Sequence, residues 1–411
     1  MARKENRVIM SNNMIDDIND DSIVTKELTL SLGPQHPSAH GVLHLIVDLK
    51  GEKVTRAEPD IGYLHRGTEK IAENLFYPQF VPYTDRLDYM CGMTNNLGYV
   101  SAVEKLLLLE LPERAKYIRV IASELSRISG HLVCIGAWGV DVGAMTILLY
   151  AMREREMVLD LFEILCGARM TYSYLRVGGV RYDADETFIG KCNDFVKWMP
   201  EKIDEYERLL TGNRIWIQRN RDIGVISKED AISLGLGGPN LRSTGVNWDI
   251  RKDEPYLIYD ELDFEVPVGE HGDCFDRYVL RIEELRQSVR IIEQCLAKMP
   301  EGPFVVDDPH IVPPAKETLY DNMENLIHHF KYVSDGFNVP AGEVYSAIES
   351  PKGELGFFIK SDGTAKPARV KIRVPSFVNL QSLDTMCKDG YLADVVAIIS
   401  SLDPVFGECD K

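Results

Sequence analysis

The chain has 411 residues, 45% hydrophobic and 27% charged, enough for two or three domains or one elaborated domain with a large core. That composition excludes collagen-like, disulfide-stapled and wholly disordered classes. Lys and Arg number 46 against 64 Asp and Glu, a formal charge of -18, which disfavours general nucleic-acid binding and adhesion to anionic lipid.

Residues 1–22 are polar, carry Asp16, Asp17, Asp20 and Asp21, and contain no apolar run. They read as a disordered tail rather than a secretory signal or transit peptide. Residues 23–65 alternate as strands do, with turn signals at Gly33-Pro34 and Lys50-Gly51. This predicts an N-terminal β subdomain, a small antiparallel sheet whose first turn carries histidines.

From residue 66 the period becomes helical, and 66–335 reads as a helical bundle core. Residues 100–110 form one helix, and Pro112 opens the next at its first turn, over 113–134. Between residues 128 and 152 the only formally charged side chain is Asp141. That stretch is long enough to span a bilayer. Its glycines, and an Asp costing at least roughly 2.5 kcal/mol at a bilayer centre, favour two buried helical pieces joined by a Gly-rich turn. No transmembrane helix is expected. Residues 143–166 are apolar nearly all round, apart from the charged run 153–156, which places that helix at the centre of the bundle. An amphipathic helix over 186–210 precedes an irregular insertion, 212–274, in which 228–272 is rich in Gly, Pro and Asp and is expected to hold short strands. Residues 275–298 and 315–333 return to helix. Residues 336–411 form a C-terminal α/β segment, with a hairpin around Asp362-Gly363 and a helix over 390–401. The expected fold is α+β, mainly α: a central helical bundle with a small N-terminal antiparallel sheet and a C-terminal hairpin.

The closest two of the eight cysteines, Cys274 and Cys295, are 21 positions apart. No zinc-ribbon, ferredoxin or thioredoxin spacing exists, and buried reduced thiols are expected. The glycine-rich "GLGGP" from Gly235 to Pro239 lacks the GxGxxG spacing, a preceding strand and a P-loop lysine, so NAD binding by this chain is not expected.

Three local patterns could carry chemistry. His36, His40 and His44 recur at four-residue spacing, which on a helix would align metal ligands, but Pro37 and Gly41 break a helix there. Loop histidines that titrate near neutrality are the other reading. "YTDRLDYMCGM" (83–93) sets Tyr89 beside Asp85, Arg86 and Asp88. It is either a proton-donating phenol with a partner or a core tyrosine beside an ordinary ion pair. Asp141, isolated in apolar sequence, either pairs with a histidine from elsewhere or caps the helix after Gly139.

The ordered motifs "GPQHPSAHGVL" (33–43), "DIGYLHRGTEK" (60–70), "RLDYMCG" (86–92), "ELSRISGHL" (124–132), "RVGGV" (176–180), "GDCFDRY" (272–278), "PSFVNLQSL" (375–383) and "SLDPVFGECDK" (401–411) carry a resemblance. From residue 25 onwards the chain resembles the D-subunit family of NADH-quinone oxidoreductase, the large quinone-site component of respiratory complex I. That family is in turn similar to the large subunit of nickel-iron hydrogenases. Those enzymes hold their metal with two CxxC pairs. Here Asp403-Pro404 is followed by Val405, Glu408 and Cys409, and Cys91 has no neighbouring cysteine, so no metal ligand set is expected.

The resemblance implies a quinone substrate held by His40, Tyr89 and Val405, with His40, Tyr89 and Asp141 catalytic. It implies that Arg66, Arg86 and His131 lie near an iron-sulfur cluster held by a neighbouring small subunit. NAD and FMN would bind elsewhere in the complex, and this chain would bind no cofactor alone. Implied partners are the small iron-sulfur subunit, the C-subunit homologue and the membrane subunit at the quinone entrance. The implied location is peripheral, in the hydrophilic arm on the cytoplasmic side of the bacterial inner membrane. His44 stands where the family pattern leads one to expect arginine. Two other readings are a purely structural subunit of the same complex and a hydrogenase-type metalloenzyme, which the missing cysteine pairs oppose.

Overall fold

The computed structural model describes residues 27–34 and 41–411. The expected tail over 1–22, His36 and His40 lie outside the described residues. The first sheet comprises β1 (Glu27–Leu32), β2 (His44–Lys50) and β3 (Lys53–Asp60), antiparallel in that order. Along β2, Leu45, Val47 and Leu49 are buried while His44, Ile46 and Asp48 are not, the period of a half-buried strand. The expected N-terminal sheet is therefore present.

Helices follow: α1 (Thr68–Ala72), α2 (Tyr77–Thr84), α3 (Gly92–Leu107), α4 (Glu113–Asp141) and α5 (Met145–Cys166). A short hairpin, β4 (Leu175–Arg176) and β5 (Gly179–Val180), leads to α6 (Glu186–Leu209) and α7 (Arg214–Asn220). Next come α8 (Lys228–Ser233), α9 (Gly238–Arg242) and α10 (Ile250–Asp253), then the long α11 (Cys274–Lys298) and α12 (Met323–Ser334). The second three-stranded sheet holds β6 (Gly342–Ser350), β7 (Gly353–Ser361) and β8 (Arg369–Arg373) in sequential antiparallel order. The chain closes with α13 (Pro375–Leu380), α14 (Leu383–Cys387), α15 (Leu392–Leu402) and α16 (Phe406–Cys409). The fold is mainly helical α+β, as its sequence indicates. None of the described helices is long and apolar enough to cross a membrane.

Two expectations are corrected. The first concerns which helix is central. It is α4, packed against α3, α5, α11 and α15. The helix α5 lies beside it, with Met145 and Leu149 largely exposed. Sequence hydrophobicity misleads here because α4 buries its charges. Within the run 153–156, Glu154 points inward to accept from the Tyr206 hydroxyl at 2.6 Å, so α5 too mixes apolar exposure with polar burial. Gly139 lets the two helices close: a Cβ there would meet Ile147 at 2.5 Å. The turn between α4 and α5 comes at residues 142–144 and holds only Gly143, because Gly130, Gly136 and Gly139 lie within α4. The helix α4 simply runs on past residue 134, with Pro112 as its N-cap rather than in its first turn.

The second correction concerns 228–272, which contains no strands. It holds short helical turns instead, two of which, α8 and α10, are capped by local side chains. Ser227 accepts from the Asp230 amide, and Asp249 accepts from the Arg251 amide at 2.9 Å.

Several of the charges inside the bundle form one network. Arg251 pairs with Asp249 at 2.7 Å and with Glu124 at 3.3 Å; Glu124 also accepts from Tyr259 and Ser288. Arg242 joins Glu284 to Glu349 and lies 3.6 Å from Asp249. Arg127 donates to the Glu349 carbonyl at 2.6 Å. All are essentially inaccessible. Buried ions persist only where each charge is matched and hydrogen-bonded, and this network ties α4, α9, α10 and α11 to the end of β6.

Candidate functional site

Between α2 and α3 the chain runs through residues 85–91, where Asp85, Leu87 and Asp88 are buried, Arg86 is exposed and Tyr89 is half-buried. The tight fit of α16 holds this segment. A Cβ at Gly407 would come within 2.5 Å of the Leu87 carbonyl oxygen and 3.2 Å of the Tyr89 ring. The Tyr89 phenol is made less acidic by burial and by Asp88, with Lys352 opposing and Asp403 adding to the rise.

Lys352, in the turn between β6 and β7, reaches Asp88 Oδ2 at 2.7 Å and Asp403 Oδ2 at 3.3 Å. Burial alone would weaken the ammonium's hold on its proton, but Asp403 and Asp88 outweigh it and keep Lys352 firmly charged. Glu408 is buried close by and accepts from the Ser376 amide at 3.1 Å. Burial and Asp88 push its carboxyl well above the usual range, against Lys352. Val405 precedes α16, is buried, and donates its amide to Ser376 Oγ.

Asp141 is the last residue of α4 and accepts from Ser400 Oγ of α15 at 2.6 Å. It does not cap α5, whose N-cap is Ala144. Ser400 and Asp403 both lie at the C-terminal end of α15, so that end joins the Asp141 contact to the Lys352 cluster beside Tyr89.

The remaining candidates divide. Arg66 and Arg86 share an exposed patch, with Arg66 donating to the Arg86 carbonyl at 2.8 Å. His131 is elsewhere: it is fully buried between α4 and α11, its Nε2 lies 2.6 Å from Glu284, and burial lowers its basicity despite that partner. His44 is tied into the sheet by Ser31 at 2.7 Å and Asp60 at 2.9 Å. The Asp410 carboxylate accepts from the Gly62 and Leu64 amides, fixing the loop that bears Arg66. Among the described residues no group of three or more His, Cys, Asp or Glu side chains is placed to hold a metal ion.

The sequence alone points to no role for Lys352, Ser376 or Ser400, and it shows Asp403 and Glu408 only as members of the C-terminal motif. The Pro351 and Gly353 flanks of Lys352 do signal a turn, but a turn lysine ordinarily reads as solvated.

Asp85 opens the same segment and accepts from the Ser173 amide at 2.8 Å and hydroxyl at 2.9 Å. Burial lifts its carboxyl from 3.8 to about 6, with Ser173 holding it down. The folded state therefore grips this proton more tightly than the unfolded one. The stability it contributes is complete below pH 3.8 and is lost as pH rises through about 6. The loss amounts to roughly 3 kcal/mol. Asp85→Asn should accordingly melt above the wild type at pH 8 and together with it near pH 4, measured by thermal denaturation across that range.

A family model described as the respiratory-chain NADH dehydrogenase 49 kDa subunit matches residues 141–411. A protein of Rhizobium meliloti (strain 1021), named as a second D subunit of NADH-quinone oxidoreductase, is 58% identical over 392 residues, 95% of this chain and 97% of its own length. The NADH-quinone oxidoreductase D subunit of Geotalea uraniireducens (strain Rf4) is 53% identical over 94% of this chain and 99% of its own. That of Methylacidiphilum infernorum (isolate V4) is 55% identical over 94% and 92%. A mainly helical bundle with buried ionic groups at its C-terminal edge thus has close relatives among respiratory-chain subunits. The chain belongs to the 49 kDa subunit family of respiratory-chain NADH dehydrogenase, the D-subunit family of NADH-quinone oxidoreductase.

Proposed function

We propose that this chain forms the quinone headgroup site of a proton-translocating NADH:quinone oxidoreductase and supplies protons for reduction to quinol. The observation that carries the reading is the meeting of the Tyr89 and Asp141 surroundings at the C-terminal end of α15. Quinone takes two electrons from a cluster on the neighbouring small iron-sulfur subunit, docked at the face of Arg66 and Arg86. Tyr89 and His40 hydrogen-bond the two carbonyl oxygens and deliver one proton each as negative charge develops. Val405 contributes apolar contact to the headgroup. Asp141 orients His40 and stabilises its protonated form. When His40 loses that proton, Asp141 loses a cationic partner, a local electrostatic switch that biases motion towards the membrane arm. The chain sits peripherally, on the cytoplasmic side of the inner membrane, against the C-subunit homologue and the membrane subunit at the quinone entrance.

Asp141→Asn tests the reading. The Ser400 contact survives in an amide, so the complex should assemble and oxidise NADH with an artificial acceptor at the normal rate. Quinone-coupled turnover should fall about tenfold or more. Loss of the whole complex instead would assign Asp141 a structural role and overturn its catalytic one.

A further inference from the structure

The ammonium of Lys352 is buried in a place built to fix it. Its amide donates to Ser350 Oγ at 3.3 Å, and its carbonyl accepts from Asn379 at 2.9 Å. Pro351 packs against α4 at Gly130. On the other side of the turn Glu349 is locked to Arg242 at 2.8 Å. A structural ion pair would need one carboxylate, and an apolar cluster of equal volume would stabilise the fold as well. Here one cation pairs with two carboxylates, one of which, Asp88, precedes Tyr89 in the chain, and its charge acts on the phenol. Among the described residues, Lys352 is the only cation that favours ionisation of Tyr89, while Asp88 and Asp403 oppose it.

We propose that Lys352 is a positioning residue of the quinone site, its ammonium clamped beside Tyr89 by Asp88 and Asp403 to stabilise the phenolate left when Tyr89 delivers its proton. The inference rests on the reading of Tyr89 as a proton donor. In the step, electrons reach the quinone from the neighbouring subunit's cluster, the Tyr89 O–H bond breaks and an O–H bond forms on the quinone oxygen. The negative charge left on Tyr89 faces Lys352, and the phenolate later regains a proton from water. No electron passes through Lys352. The ionisable groups facing the ammonium are Asp88 and Cys91 of the segment before α3, Asp403 after α15 and Glu408 of α16. Cys134 of α4 interacts with it at longer range and is itself under the influence of Arg281 of α11.

The test uses the intact complex in membranes, with a short-chain benzoquinone as acceptor and an artificial acceptor to report assembly. Lys352→Met should lower quinone turnover about tenfold or more and move the alkaline limb of its pH profile to higher pH, because the phenol becomes a weaker acid. Lys352→Arg should keep the limb in place. Asp403→Asn removes an opposing anion and should move the limb to lower pH, the reverse direction, which packing damage alone would not produce. Should Lys352→Met fail to assemble, an Asp403→Asn limb that stays put overturns the inference. So does a Lys352→Met enzyme with the wild-type limb, or two variants that shift it the same way. Retained quinone turnover in Tyr89→Phe would defeat the underlying reading instead; collapse there with an unmoved Lys352→Met limb defeats only the role of Lys352.

Discussion

Tyr89→Phe should reduce quinone-dependent NADH oxidation by at least about a hundredfold, the span a positioned general acid supplies, while NADH oxidation by an artificial acceptor continues. The substitution removes one oxygen and leaves the ring against Gly407. The hydroxyl makes no hydrogen bond to another described residue, so its loss leaves no buried partner unsatisfied. A collapse in quinone turnover would thus report proton delivery and not misfolding. Normal quinone reduction with unchanged kinetics would show that the headgroup takes its protons from elsewhere.

The second large effect is on folding. Arg242→Leu should prevent accumulation of the assembled complex. The guanidinium holds Glu284, Glu349 and, at 3.6 Å, Asp249, and it donates to the Trp248 carbonyl at 3.0 Å. Removing it leaves three buried carboxylates with one fewer cation between them. Breaking a single buried pair costs about 3–5 kcal/mol, a large part of the roughly 5–15 kcal/mol that holds a domain folded. Arg169, which pairs with Glu156, Asp160 and Glu163 on the surface, is the control. Arg169→Ala should leave the complex at wild-type abundance, because exposed pairs are screened by solvent. Equal loss of abundance in both variants would refute the distinction, read by quantifying the assembled complex in membranes.

Elements that bury one face were legible in sequence. The alternation of β2 and the apolar stripe of α6 each map onto the elements observed. The expected helix over 275–298 corresponds to α11 almost residue for residue. The helix α4 was legible as a helix but not as the axis of the bundle. Arg119, Glu124, Arg127 and His131 look like a solvated face in one dimension and prove to be paired in three. Tyr89 and Asp141 could be picked out because a polar group in an apolar setting needs a reason. Lys352 could not, since its two carboxylates lie 264 and 51 positions away in the chain. No local pattern encodes a contact of that length. His40 stood out among three regularly spaced histidines, but its assignment to the quinone came from the motif alone.

The contacts that pin the N-terminal sheet also govern when it can form. Ala57 donates its amide to Asp384, and Leu64 donates to Asp410 across 346 positions. The strands at the start of the chain must therefore wait, during synthesis, for helices encoded near its other end. Closing so long a loop is slow. In a nascent chain the contacts through Asp384 and Asp410 are therefore among the last that the sheet and the loop after it can make.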